Sequence, residues 1–306
     1  MRAEAAARVV IPALWRAGSP DPIVLKGPAL AIWLYTGDRE RTFGDLDLLV
    51  KPARIEAADG CLSALGYSRG QAGWDRISHA WRKPGETFAI DLHTSIVGAD
   101  ADPGIVWREL TANSVERYLL GVPCRCLDED GLAMHVATHA AQHALDGDAK
   151  PLEDLRLALA AADADTWTAA ADRARRIGAE PAFAAGLRRL PEGAAVAARL
   201  GLSEVAPIDV ALRASEDPPA LVLGLEQLRR TEGAAAKARF ALSKVFPPAG
   251  QLRATSSLAR RGGAGLVAAY GLRPFAVAAE LPRALARHRS LSRAAREDRA
   301  NDVDDH

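Results

Sequence analysis

The chain has no net charge, because 39 lysines and arginines balance 39 aspartates and glutamates. A global electrostatic pull toward nucleic acid or an acidic bilayer is therefore excluded. Cysteine is scarce, with three residues among 306. The number is odd, and Cys124 and Cys126 lie too close on an extended segment to pair without strain. Their two-residue step is not that of a zinc knuckle, so reduced core or strand cysteines are expected. Long hydrophobic runs are also missing. Arg2, Glu4 and Arg8 interrupt the N-terminal stretch, so no signal peptide is expected. The longest uncharged stretch of the C-terminal third, Gly262 to Leu272, is short and glycine-rich for a bilayer span. No transmembrane segment and no internal repeat are read from the sequence, and the expected location is cytoplasmic. With 49% hydrophobic residues the chain can bury a sizeable core, and at about 150 residues per domain its length suggests two domains.

Against this background one run is conspicuous: Arg41-Thr42-Phe43-Gly44-Asp45-Leu46-Asp47-Leu48-Leu49-Val50. Its period-2 alternation predicts a strand, which places Asp45 and Asp47 on one face and Leu46 and Leu48 on the other. Two like charges side by side repel and lose hydration, and a bound cation relieves both costs. The plainer alternative is a solvent-facing edge strand with two harmless aspartates.

The flanking segments favour the cation. Ile23-Val24-Leu25 reads as a strand, Lys26-Gly27-Pro28 as a turn, and Ala29 to Tyr35 as a helix start, with proline tolerated in the first turn. Such a junction can turn backbone amides toward phosphate oxygens. Thr87 to His93 predicts a further strand whose apolar run is broken by Asp91, joined through a turn at Lys83-Pro84-Gly85-Glu86 to Arg76 to Arg82. Three carboxylates on neighbouring strands make an oxygen-rich site for one or two Mg²⁺ ions.

The chain divides by pattern into three blocks. Residues 1–127 mix short strands and helices and end in the predicted strand Val122 to Leu127. Residues 128–205 are helical and alanine-rich, with Asp128 as a good N-cap and breaks near Pro181 and Pro191. Residues 206–306, after Pro207 and Pro218-Pro219, are again helical and end in an acidic tail from Asn301 that is expected to be disordered. The fold class expected is α+β, a small mixed sheet with flanking helices followed by an all-α region.

The order of these pieces resembles the nucleotidyltransferase superfamily, and more narrowly a bacterial group described as nucleotidyltransferase family proteins. The matching residues are Leu25-Lys26-Gly27-Pro28-Ala29-Leu30-Ala31, Arg41 four residues before Asp45-Leu46-Asp47-Leu48-Leu49-Val50, Leu65-Gly66-Tyr67, His79, Ile90-Asp91-Leu92-His93, Leu152-Glu153-Asp154-Leu155 and Phe246-Pro247-Pro248. The resemblance is densest over residues 23–155. It implies transfer of a nucleoside monophosphate from a nucleoside triphosphate, ATP by cellular default, with release of pyrophosphate. It further implies that Asp45, Asp47 and Asp91 are catalytic and hold Mg²⁺ or Mn²⁺. Asp45 and Asp47 would carry the metal bridging the triphosphate, and Asp91 either a second metal or the proton of the attacking group. Lys26, Gly27 and Arg41 are the implied phosphate-binding residues, with Arg41 either reaching the phosphates or bracing the metal-bearing strand. Two departures bear on the phosphate turn: Pro28 stands where a second glycine or serine is usual, and the gap from Gly27 to Asp45 is long. Lys26 can supply the contact as a point charge.

Histidines form a second signal. His135, His139 and His143 follow i, i+4, i+8 spacing and line one helix face. Three readings stay open: a transition-metal site, a packing role, or a face toward the cleft, where His139 and His143 contact substrate. His93 shares the strand face of Asp91 and is a further substrate-contact candidate. Between Leu252 and Arg299 ten arginines and one histidine stand against Glu280, Glu297 and Asp298, while Tyr270 and Phe275 are the sparse aromatics. This block reads as a solvated helical face, or as a surface for an anionic membrane, RNA or an acidic partner. Three functions are thus weighed: a metal-dependent nucleotidyltransferase acting on a small molecule, peptide or protein; a non-catalytic nucleotide- or partner-binding descendant; and a membrane or RNA adaptor working through the basic helices.

Overall fold

The computed structural model describes residues 3–17, 22–36, 40–70, 78–119, 121–142, 149–202, 221–222, 224–225, 228, 233–247, 249, 252 and 256–304. The chain forms two compact units, Met1–Ala206 and Pro207–His306. The first has the expected α+β architecture. Its strands are β1 (Ile23–Val24), β2 (Asp45–Leu49), β3 (Ser68–Arg69), β4 (Ser78–Arg82), β5 (Ala89–His93), β6 (Val115–Leu119) and β7 (Val122–Cys126). They form one sheet in the order β3-β4-β5-β2-β1-β7-β6. The sheet is mixed: β2 runs parallel to β5 and β1 parallel to β7, whereas β1–β2, β3–β4, β4–β5 and β6–β7 are antiparallel.

Period-2 alternation on β2 is realised as the sequence predicts. Leu46 and Leu48 are wholly buried behind the carboxylates, as are Ile90 and Leu92 on β5. Each contributes roughly 1.5–3 kcal/mol of burial, enough to hold two acid-bearing strands together despite their charges. The β4–β5 turn has Gly85 at φ 78° and a hydrogen bond from the Glu86 N–H to the Lys83 carbonyl, 3.0 Å long. A β-carbon is disfavoured at that φ, which explains glycine after Pro84. Strand β4 begins at Ser78; Arg76 and Ile77 of the expected strand lie outside the described residues.

Helices α1 (Ala3–Arg16), α2 (Pro28–Leu34), α3 (Ile55–Ala64) and α4 (Pro103–Thr111) accompany the strands, and α1 packs on α3, β2 and β7. From Asp128 onward the unit is helical: α5 (Glu129–Gln142), α6 (Lys150–Ala161), α7 (Ala164–Arg176), α8 (Glu180–Leu187) and α9 (Pro191–Arg199). Asp128 caps α5 as expected, its Oδ1 accepting the Gly131 N–H at 3.0 Å, and the same carboxylate is paired with the buried Arg173 of α7. Pro181 and Pro191 sit in the first turns of α8 and α9, starting helices where the sequence showed breaks. Helix α5 packs on α6, α7 and α8. At the α5–α8 crossing a β-carbon on Gly186 would fall 1.7 Å from the Ala137 carbonyl oxygen, so only glycine allows the approach. One hydrophobic core runs through sheet and helices alike, from Ala6 to Leu202.

In the second unit, α10 (Ala234–Val245) and α11 (Gly262–Asp304) are the long helices. A small core gathers Leu252, Ala259 and Ala269, and the Tyr270 hydroxyl donates to the Pro247 carbonyl at 2.6 Å. Helix α11 runs to Asp304, and neither glycine nor proline follows Pro282 to stop it. The apolar stretch is also longer than the uncharged run Gly262–Leu272. Within Gly262–Ala286 an 18-residue stretch reaches a mean hydropathy of 1.2, long and apolar enough to cross a membrane by length and composition only, which defines no clear transmembrane segment. Arg273, Glu280 and Arg283 interrupt Gly262–Ala286 by charge.

Candidate functional site

The site lies on the face of β2 opposite Leu46 and Leu48. Register explains it. Asp47 pairs with Asp91 across the parallel β2–β5 ladder, and Asp45 pairs with Ala89. On the far side of β5, Ala80 stands beside Asp91 and Arg82 beside Ala89. Two rows therefore cross three strands, Ala80·Asp91·Asp47 and Arg82·Ala89·Asp45. The two alanines keep the floor low between the charged positions. One oxygen each of Asp45, Asp47 and Asp91 lies within 4.8 Å of the others.

Charges around this trio are asymmetric. Asp47 is 3% exposed; burial alone would raise its pKa, but the Lys26 ammonium and a hydrogen bond with His93 bring it down to about 2. Lys26 Nζ lies 3.3 Å from Asp47 Oδ1, and His93 Nε2 3.0 Å from the same oxygen. Burial first, then the neighbouring Asp47 charge, raises the pKa of both Asp45 and Asp91. Asp47 Oδ2 and Asp91 Oδ1 are buried and have no hydrogen-bond partner. Buried carboxylate oxygens left without donors are costly, and a hard cation satisfies them.

A cleft of about 360 Å³ opens above the carboxylates, lined by Asp45 and Asp91, by Lys26, Gly27, Arg41, Arg82, Lys150 and His139, and by Phe43 and Thr87. Four basic side chains therefore face it. Gly27 precedes α2 at φ 60°, a conformation that favours glycine. Arg41 is locked from behind. Its Nε and Nη2 donate to Asp154 Oδ1 and Oδ2 of α6 at 2.8 and 2.6 Å, and the Tyr35 hydroxyl donates to Oδ1 at 2.7 Å. The sequence left Arg41 between phosphate contact and bracing; the structure gives it a salt bridge to α6 while it lines the cleft. Lys150 Nζ donates to the Thr42 carbonyl at 2.8 Å, tying the start of α6 to the segment before β2.

The histidines part company. His139 Nε2 lies 3.3 Å from Lys26 Nζ, so His139 reaches the cleft. His135 stacks on His139 with ring centroids 6.2 Å apart, but it is buried, and burial followed by the Lys26 charge lowers its pKa to about 3. His143 lies outside the described residues. Among the described residues the three aspartates are the group whose side-chain oxygens converge closely enough that they could hold a metal ion. Sequence reasoning did not single out Arg82, Thr87 or Phe43. Strand alternation does carry the signal for Arg82, two residues after the Ala80 that pairs with Asp91.

A mixed sheet with two carboxylates at i and i+2 on one strand, a third on the parallel neighbour and a glycine turn beside them defines a nucleotidyltransferase-class site. The chain belongs to the family described as uncharacterised nucleotidyltransferase, which matches residues 5–192, and it is accordingly a nucleotidyltransferase. No curated protein matches the sequence. Partial structural similarity extends to the antibiotic-resistance factor ANT(2'')-Ia in solution, with 16% identity, a TM-score of 0.42 and coverage of 56% of this chain and 91% of that one. It extends also to the crystal structure of ANT(2'')-Ia in complex with adenylyl-2''-tobramycin, with 16% identity, a TM-score of 0.39 and coverage of 56% and 97%. The lincosamide antibiotic adenylyltransferase LnuA, lincomycin-bound, has 13% identity, a TM-score of 0.36 and coverage of 50% and 96%.

Proposed function

We propose that the protein transfers a nucleoside monophosphate from a nucleoside triphosphate, ATP by cellular default, to a nucleophile on a small molecule, peptide or protein, in the cytoplasm. The observation that carries this reading is the trio Asp45, Asp47 and Asp91, whose oxygens converge within 4.8 Å and include two buried oxygens without a donor. All the donors are hard carboxylate oxygens, which fits Mg²⁺ or Mn²⁺ and not a soft metal. When bound there, the ion neutralises triphosphate charge and orients the phosphates.

The rest of the work belongs to the side chains. Lys26, Arg41, Arg82 and Lys150 face the cleft from different sides and present point charges and a guanidinium fork to a polyphosphate. Asp91, paired with Asp47 across the β2–β5 ladder, takes the proton of the attacking hydroxyl. The new O–P bond forms at the α-phosphorus, the α–β bridging bond breaks, and its electron pair leaves with pyrophosphate. His93 and Lys26 hold Asp47 ionised and in place, and His139 steadies Lys26. We assign catalysis to residues 1–127, with the helices of 128–205 contributing His139, Lys150 and the Asp154 brace.

Isothermal titration of a nonhydrolysable ATP analogue, with and without Mg²⁺, tests the reading on wild type and on Asp45→Asn/Asp47→Asn. The expected result is Mg²⁺-dependent binding that the double variant loses while its thermal unfolding stays cooperative. No binding by the wild type to ATP, GTP, CTP or UTP analogues would overturn it.

A further inference from the structure

Helix α11 carries a feature that nucleotidyl transfer does not use. Its first part, Gly262–Ala286, is 25 residues long, and its most apolar 18 residues have a mean hydropathy of 1.2, yet only 6% of them are buried. Core helices of water-soluble folds are apolar because they are buried, and secretory signals stand near an N-terminus; this segment does neither. Val267 and Phe275 are each 73% exposed and Leu272 is 61% exposed. At 3.6 residues per turn these three, with Ala268, Gly271 and Ala279, fall within a sector of about 140°. Gly265, Ala269 and Ala284 are turned inward, two of the three packing in small clusters of the second unit. Arg273, half-buried, and Glu280 lie away from the apolar sector, on the side of Ala269 and Ala284, and Arg283 borders the sector.

We propose that α11 lies along the surface of an anionic bilayer, with Val267, Leu272 and Phe275 inserted among the acyl chains. Charge complementarity selects the occupant. Beyond Leu281 the helix carries Arg283, Arg287, Arg289, Arg293, Arg296 and Arg299 against Glu297 and Asp298, with Asp302 and Asp304 at its end. A basic stretch of sequence following an apolar stripe complements an anionic headgroup layer while the stripe fills the interface. Lying flat keeps Arg273 and Glu280 on the side turned away from the acyl chains, whereas spanning would draw both into hydrocarbon and place Pro274 inside the bilayer. RNA fits less well, since the exposed sector offers one aromatic ring, Phe275, and no hydrogen-bonding side chain for bases.

Co-sedimentation of the full chain with vesicles decides the matter. Wild type is expected to pellet with vesicles of phosphatidylcholine and phosphatidylglycerol in equal parts, about tenfold more tightly than with phosphatidylcholine alone, and to be released by high salt. Val267→Glu/Phe275→Glu is expected to lose binding at least about tenfold with unchanged far-UV circular dichroism, and Arg283→Gln/Arg287→Gln to lose it severalfold with a shallower salt dependence. Three results would each overturn the proposal: no wild-type binding to the mixed vesicles, equal binding to neutral and anionic vesicles, or undiminished binding by Val267→Glu/Phe275→Glu. Sedimentation velocity adds a fourth. A wild-type dimer dispersed by Val267→Glu/Phe275→Glu, without vesicle binding, would assign the face to a second copy of the chain.

Discussion

Replacing Asp154 with alanine should unfold the first unit far more readily than its position on a helix surface suggests. The side chains of Arg41 and Asp154 are 5% and 1% exposed, and they meet through two hydrogen bonds of 2.8 and 2.6 Å. Asp154 also accepts the Tyr35 hydroxyl at 2.7 Å. Removing the carboxylate strands a buried guanidinium and costs about 3–5 kcal/mol, a large part of the 5–15 kcal/mol that typical domains have in total. A loss of that size lowers the melting temperature by about 10 °C in a unit of this length. Arg41→Met/Asp154→Leu removes both charges and fills the same volume, so it should lie within about 1 kcal/mol of wild type. The double variant should still lose affinity for a nucleotide analogue, because the cation lining the cleft has gone. Urea unfolding followed by tryptophan emission is the assay, since all six tryptophans precede residue 168 and report on the first unit. An Asp154→Ala variant within 1 kcal/mol of wild type would refute the reasoning, because Arg41 would then have found water or Asp45 at little cost.

Lys26→Met should weaken the Mg²⁺-loaded nucleotide analogue by about tenfold or more, read by titration, through loss of a phosphate charge; unchanged affinity would remove Lys26 from the site. His135 is neutral when folded down to a pKa of about 3, against 6.5 when unfolded, so the unfolded chain binds the extra proton below 6.5 and stability falls with pH toward 3. Between pH 6.5 and 5 the wild type should lose about 2 kcal/mol through this group, and His135→Leu should show a flatter melting profile over that range; parallel profiles would contradict it. Gly186→Ala places a methyl group 1.7 Å from the Ala137 carbonyl and should cost about 2–3 kcal/mol in urea unfolding, whereas Gly224→Ala, helical and with open space around it, should not destabilise.

Much of the site was legible because its signals are local. Asp45 and Asp47 reveal themselves by alternation with Leu46 and Leu48, and Asp91 by interrupting an apolar run. Gly85 after Pro84 announced the turn that folds β4 onto β5. What escaped the sequence depends on distant pairing. Asp154 meets Arg41 across 113 residues, and no local pattern marks a buried ion pair of that separation. Strand β6 escaped for a different reason. In Val115-Glu116-Arg117-Tyr118-Leu119 the three central residues are exposed, so an edge strand there shows no period-2 alternation. The exposed apolar sector of α11 escaped because Arg273 ends the uncharged run in sequence, whereas a helix places it to one side of that sector.

The pairing of β1 with β7 has a consequence during synthesis. Val24 sits between Leu48 of β2 and Cys126 of β7, so β1 keeps one naked ladder edge until residue 126 has left the ribosome. Until then the nascent chain exposes Ile23-Val24-Leu25 beside a sheet already able to close from β2 to β4. That interval is when chaperone capture or intermolecular strand addition competes with folding, and ribosome pausing near codon 126 would lengthen it.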